Sequence, residues 1–125
     1  MLAAVGREWC ATTSVCQHPP GTRRAPYFDF VCTAATHLQG EIAKIGQRVA
    51  TFLLYLNYGF DGGETDFPTL GWRFKGTKGD AVLFRNVDDY GRPDVRTLHA
   101  GLEPSNGEKW VLSQWLRAHV QASAN

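Results

Sequence analysis

The chain has 125 residues, 43% of them hydrophobic and 20% charged, with a formal net charge of +1. That length suits one domain with a sizeable core, and the composition is that of a soluble globular protein. So even a charge balance gives no sign of nucleic acid or a membrane as the main partner.

At the amino end, "MLAAVGREW" holds an apolar run far too short for a signal peptide, and no later stretch could span a bilayer. Cys10, Cys16 and Cys32 are odd in number and match no metal-ligand spacing, so they read as reduced thiols of a cytosol-like compartment. "ATTSVC" is a first candidate strand. Pro19, Pro20 and Gly21, with the arginines after them, mark a loop. "PYFDFVC" then reads as a strand in which Tyr27 and Asp29, two apart, share a face. "THLQGEIAKIG" is the one segment with room for a short helix.

The run "VATFLLYLN" (Val49 to Asn57) is rich in β-formers and is expected to be buried on both faces. "YGFDGG" reads as a turn, then "ETDF", "WRFK" and "DAVLFRN" as short strands bounded by Gly, Pro, Thr or Lys. "NVDDYGRPD" is a polar loop, "VRTLHAG" a strand, "LEPSNGE" a turn and "KWVLSQWLR" a long final strand. Roughly eight strands at this spacing predict an all-β sandwich or barrel with a minor helix. There is no internal repeat, no low-complexity stretch and no linker that would divide the chain.

Chemistry concentrates near the carboxyl end. His99 lies in "VRTLHAG" and Lys109 opens the next strand, which places them one hairpin apart. Antiparallel pairing would put the imidazole and the ammonium on one inner face. Such a pair suits an anionic ligand that chelates a metal at one end and needs charge neutralisation at the other. Taken singly, a histidine in an apolar strand is more often a hydrogen-bonded core residue, and a lysine after a turn a solvated charge.

Five segments, "RVATFLLYLN", "GGETDFP", "KGDAVLF", "DVRTLHAG" and "GEKWVLSQWLR", occur in the order and spacing of one family. From about Pro20 to Arg117 the chain resembles the prolyl 4-hydroxylase-type iron(II)/2-oxoglutarate dioxygenases. The resemblance implies a double-stranded β-helix, a jelly roll of two facing sheets with a ligand between them. It divides the chain into a short amino-terminal segment (1–19), the dioxygenase-like domain (20–117) and a tail (118–125). It also implies iron(II), 2-oxoglutarate as co-substrate, ascorbate as a further cofactor, and a peptide or small-molecule substrate. By that likeness His99 matches the distal iron-ligating histidine and Asp29 the iron-ligating aspartate, two parts of a facial triad. Lys109 matches the base that pairs with the far carboxylate of 2-oxoglutarate. Tyr55, Thr65 and Ser113 match positions lining the same pocket, although each also has a plain reading as core aromatic, strand former and small packing residue.

Two departures stand out. In "PPGTRRAPYFDF" the frame of the family's iron-ligand segment is kept, but Tyr27 stands where its first histidine belongs. A phenol is a poor ligand for iron(II) at neutral pH, because the anion binds and the pKa is about 10. Of the other histidines, His18, His37 (with Glu41 one helical turn later) and His119, none stands where the frame needs a ligand. The second departure is that 19 residues precede Pro20, where the family carries helices packed on one sheet. The chain is therefore expected to be a shortened relative or a fragment, with an apolar sheet face open to self-association.

The resemblance thus implies an enzyme that hydroxylates a peptidyl proline or a related side chain. The alternative is a catalytically degenerate jelly-roll binding module, which Tyr27 favours. A jelly-roll carbohydrate binder has only the fold behind it, and fold does not fix function. Substrate choice would lie in loops such as "NVDDYGRPD" and "THLQGEIAKIG".

Overall fold

The structure, a computed structural model, describes residues 9–18, 26–30 and 36–118. Among them are nine strands, one α-helix and two short 3-10 turns. The strands are β1 (Trp9–His18), β2 (Arg48–Tyr55), β3 (Asp61–Gly62), β4 (Thr65–Phe67), β5 (Trp72–Phe74), β6 (Ala81–Arg85), β7 (Ala100–Gly101), β8 (Pro104–Asn106) and β9 (Lys109–Ala118). The helix α1 spans Thr36–Ile45.

The large sheet has the order β1-β9-β2-β6, every neighbour antiparallel. Its inner face follows from period-two alternation. In β9, Lys109, Val111, Ser113 and Arg117 are buried; in β6, Val82 and Phe84 are buried while Ala81, Leu83 and Arg85 are exposed. A second layer has the order β5-β4-β7, and β3 pairs with β8 as a separate ribbon. The layers meet where Phe67 of β4 packs edge-on against Phe84 of β6, with centroids 5.1 Å apart. Phe67, Val82 and Phe84 form one core cluster, Tyr55, Phe60 and Val111 another, and Phe74 packs against both. Aromatic pairs of this kind contribute about 0.5–1.5 kcal/mol each beyond the area they bury.

The helix fills the connection from the Asp29 segment to β2. It stops at Gly46, whose φ of 79° is a left-handed cap and whose amide donates to the Ile42 carbonyl at 2.9 Å. A side chain there would overlap the Ala118 carbonyl. Buried Arg117 ties the helix to β9, donating to Glu41 Oε1 at 2.7 Å and to the Gly46 carbonyl at 2.9 Å. No described helix is long and apolar enough to cross a membrane.

Several sequence expectations are corrected. "VRTLHAG" is not one strand: Val95–Thr97 is a 3-10 turn capped by Asp94, whose side chain accepts from the Arg96 amide. A side-chain acceptor that meets a nearby amide offers the backbone an alternative to the ladder. His99 and Lys109 are not on paired strands either. His99 bridges to Tyr27, β7 pairs with β4, and β9 pairs with β1 and β2. "YGFDGG" and "LEPSNGE" are more than turns, since they contain β3 and β8, which pair with each other. Tyr27 joins the "PYFDF" segment to the sheet by a single bridge, while Val31 and Cys32 lie outside the described residues. The β2 run is half-buried along much of its length, with Ala50, Thr51 and Tyr55 fully enclosed. Apolar side chains also remain open on the large sheet, where Leu83 is 56% and Trp110 37% exposed.

Candidate active site

Two clusters of polar side chains are buried against the inner face of the large sheet. The first gathers around His99, which is 1% exposed and boxed in by the rings of Tyr27, Phe67 and Phe84. Its Nδ1 lies 2.8 Å from the Thr97 carbonyl. A carbonyl only accepts, so Nδ1 carries a proton and donates, which leaves Nε2 with a lone pair in the neutral ring. That Nε2 faces Asp29 Oδ2 at 3.5 Å. A carboxylate oxygen and an imidazole lone pair converging in a buried, aromatic-walled site repel each other unless a cation or a proton lies between them.

Asp29, 6% exposed, is held from behind. Thr51 of β2 donates its hydroxyl to Asp29 Oδ2 at 2.7 Å, and Asn86, just past β6, donates its amide to the Thr51 hydroxyl at 2.8 Å. Thr51 was not singled out in the sequence. A hydroxyl in the middle of the apolar run "VATFLLYLN" was the available signal, because a buried hydroxyl needs a partner. Asn86 carried no such mark.

The second cluster centres on Lys109, which is 1% exposed. Its Nζ donates to the carbonyls of Gly63 at 3.0 Å and Leu102 at 3.2 Å. An ammonium has three protons, and no carboxylate forms an ion pair with Lys109 among the described residues. Burial lowers its pKa to about 8; nearby Glu64 opposes that shift and Lys75 adds to it. Beside it, Tyr55 shares a hydrogen bond with Thr65 across 2.9 Å and reaches the same Gly63 carbonyl at 3.4 Å. Burial raises the Tyr55 pKa, with the Thr65 bond opposing. Ser113, 8% exposed, sits opposite Leu53 in the β9–β2 register, between the Thr51 and Tyr55 rows.

The structure therefore brings Asp29, His99 and Tyr27 together at one end, and Lys109, Tyr55 and Thr65 at the other. Thr51 and Tyr55 mark the two ends on one strand, four residues or about 13 Å apart. Tyr27 does not complete a metal-ligand set. It is 43% exposed, and its ring leans on that of His99 with centroids 4.7 Å apart. No group of three or more His, Cys, Asp or Glu that could hold a metal occurs among the described residues. Asp29 and His99 could serve a divalent cation as two ligands, and no third His, Cys, Asp or Glu stands with them among the described residues. His18 ends β1 opposite Lys109 in the strand register and His37 lies in α1, with no side-chain placement described for either; His119 lies outside the described residues.

Comparison with known proteins shows the family and the fold. The family profile described as the 2OG-Fe(II) oxygenase superfamily matches residues 15–117. The chain is similar to Prolyl 4-hydroxylase 1 of Arabidopsis thaliana, 37% identical over 116 residues that cover 82% of this chain and 39% of the relative. It is similar also to Prolyl 4-hydroxylase subunit alpha-1 of Bos taurus, 34% identical over 107 residues, which cover 86% of this chain and 20% of the relative. Among solved structures, the viral collagen prolyl hydroxylase vCPH of Paramecium Bursaria Chlorella virus-1 superposes with a TM-score of 0.75 at 33% identity, covering 90% of this chain and 59% of that one. The same viral protein has been solved as its 2OG complex, which superposes with a TM-score of 0.74. This chain spans less than two thirds of the length of each of these proteins. The match carries the double-stranded β-helix fold, mostly β with one short helix.

Proposed function

The chain belongs to the 2OG-Fe(II) oxygenase superfamily and is prolyl 4-hydroxylase-like, and from that premise we propose that it is a 2-oxoglutarate-binding oxygenase domain acting on a peptidyl proline or a related side chain. In this reading Asp29 and His99 hold iron(II). Lys109 receives the far carboxylate of 2-oxoglutarate, with Tyr55, Thr65 and Ser113 lining the space between. Bound there, the iron would supply oxygen activation coupled to decarboxylation of the co-substrate.

The observation that carries the reading is the pair of unmatched charges at opposite ends of one buried face. The Asp29 carboxylate and the His99 lone pair face each other at 3.5 Å. Some way along the same face, the Lys109 ammonium meets, among the described residues, only the neutral carbonyls of Gly63 and Leu102. A cation at one end and a carboxylate at the other would satisfy both, and 2-oxoglutarate is a diacid that can chelate a metal through one end and present a carboxylate at the other. A carboxylate on Lys109 makes a charge-assisted bond worth about 1.5–3 kcal/mol.

The chain's own residues do the positioning. The Thr97 carbonyl fixes the His99 tautomer with Nε2 free to ligate. Phe67, Phe84 and Tyr27 enclose the imidazole and exclude water. Substrate choice would rest with the 86–94 loop, where Tyr90 is 84% exposed, and with α1.

A second reading is favoured by Tyr27. With the third ligand position occupied by a partly exposed phenol, the domain would bind 2-oxoglutarate and a peptide without turnover. Succinate release from 2-oxoglutarate, measured with added iron(II), ascorbate and a proline-containing peptide, separates the two. Turnover above the iron-only background supports the oxygenase. Co-substrate binding without succinate supports the binding module.

A further inference from the structure

Resting on the reading of Asp29 and His99 as metal ligands, we propose that Thr51 and Asn86 are positioning residues, a one-way hydrogen-bond relay that aims the Asp29 carboxylate at His99. Thr51, Asn86 and Asp29 are 0%, 1% and 6% exposed, so water does not compete for their hydrogen bonds. The direction of the relay follows from chemistry. A carboxylate oxygen accepts, so the Thr51 hydroxyl must spend its single proton on Asp29 Oδ2, at 2.7 Å. Its oxygen is then left as an acceptor, and at 2.8 Å it can be met only by the N–H side of the Asn86 amide. The amide is turned accordingly, and its Oδ1 is left buried with no hydrogen-bond partner among the described residues. Reversing the amide would demand a second proton from Thr51. The orphaned oxygen is therefore a consequence of the charge two bonds away.

The main chain of Asn86 extends the same control to the other ligand. Its amide donates to the Val49 carbonyl at 2.8 Å, which continues the β2–β6 pairing. Its carbonyl accepts from the Asp94 amide at 3.0 Å. Asp94 caps the 95–97 turn and receives both the amide and the hydroxyl of Thr97 on its own carbonyl, at 3.2 and 2.9 Å. The Thr97 carbonyl in turn orients His99. One residue, Asn86, thus supports Asp29 through its side chain and His99 through its backbone.

The test uses the full chain carrying Tyr27→His, titrated anaerobically with cobalt(II) and read by visible absorption, with melting of the metal-free protein followed in parallel. Adding Thr51→Val, which keeps the shape and removes the hydroxyl, should weaken cobalt binding about 10–100-fold, the range for lost support behind a ligand. Thr51→Ser should restore the parental affinity, and Asn86→Ala should weaken binding less than Thr51→Val does. A hydroxyl with a merely structural role would lower the melting temperature and leave the cobalt affinity unchanged; that result overturns the proposal. If Thr51→Val fails to fold, an unchanged affinity in Asn86→Ala overturns it instead. No cobalt binding by the Tyr27→His parent would remove the ligand reading itself, and the relay with it. Parental binding that is indifferent to Thr51 removes the relay alone.

Discussion

Tyr27 and His99 are joined as an antiparallel pair: the Tyr27 amide donates to the His99 carbonyl at 2.8 Å, and the His99 amide to the Tyr27 carbonyl at 3.1 Å. The reciprocal bonds fix the backbone at position 27 beside a ligand candidate, whatever side chain position 27 carries. An imidazole placed there would start next to His99 and Asp29 rather than having to find them. Restoring a histidine is then a change of chemistry on a backbone already in place.

Tyr27→His is accordingly expected to bind iron(II) at least about tenfold more tightly than the wild type, since losing even outer support of a ligand costs that much. Decarboxylation of 2-oxoglutarate to succinate should appear or rise with it. Anaerobic metal titration and a succinate assay on both proteins check this. A wild type that already matches the variant in both would mean that Tyr27 is no impediment.

Lys109→Ala should weaken 2-oxoglutarate binding about 10–100-fold, the equivalent of one charge-assisted hydrogen bond, while the strands stay intact. Calorimetric titration would show it. If the ammonium form receives the carboxylate, as proposed, wild-type affinity should fall as pH rises past about 8, where buried Lys109 loses its proton. Equal affinities in the two proteins would take Lys109 out of the site.

The same lysine sets a stability trend in the ligand-free protein. Its folded pKa of about 8 lies below the ordinary value of 10.5, so between these the unfolded chain binds more protons. Stability contributed by this group therefore rises with pH from about 8 to about 10.5. Lys109→Met should flatten that rise and raise the melting temperature at pH 7, where burial of the charge costs most. Melting curves at stepped pH decide it, and a wild-type profile that falls steadily across the window would contradict the assignment.

Gly76 carries a steric prediction. A Cβ at this position would run into the Tyr55 ring, a fully buried member of the core. Gly76→Ala should cost about 1–3 kcal/mol in denaturant unfolding, the usual range for overpacking. It should also loosen the hydrogen bond between Tyr55 and Thr65 and so weaken 2-oxoglutarate binding. An alanine that leaves both stability and binding untouched would show that Tyr55 has room to shift.

Much of this was legible in the sequence because it is written locally. The short runs "KWVLSQWLR" and "DAVLFRN", set off by turn residues, gave β9 and β6, and the structure shows their inner faces by alternate burial. Two of the five segments shared with the prolyl 4-hydroxylases pointed to His99 and Lys109 by position, and the frame "PPGTRRAPYFDF" pointed to Asp29, with Tyr27 visible as the departure. What the sequence left open depends on partners far along the chain. Thr51 meets Asp29 across 22 residues and Asn86 across 35, so nothing near either one announces the bond. The pairing of β3 with β8 joins two stretches that read as turns when each is taken alone. The 95–97 turn replaced an expected strand because the Asp94 side chain captured a nearby amide, and that turn supplies the carbonyl that sets the His99 tautomer. The sequence by itself determined the family and offered candidate residues for the site. Only the tertiary structure decided which lone pairs face each other and which hydroxyl stands behind them, because hydrogen bonds are chosen by distance and direction in space and not by order along the chain.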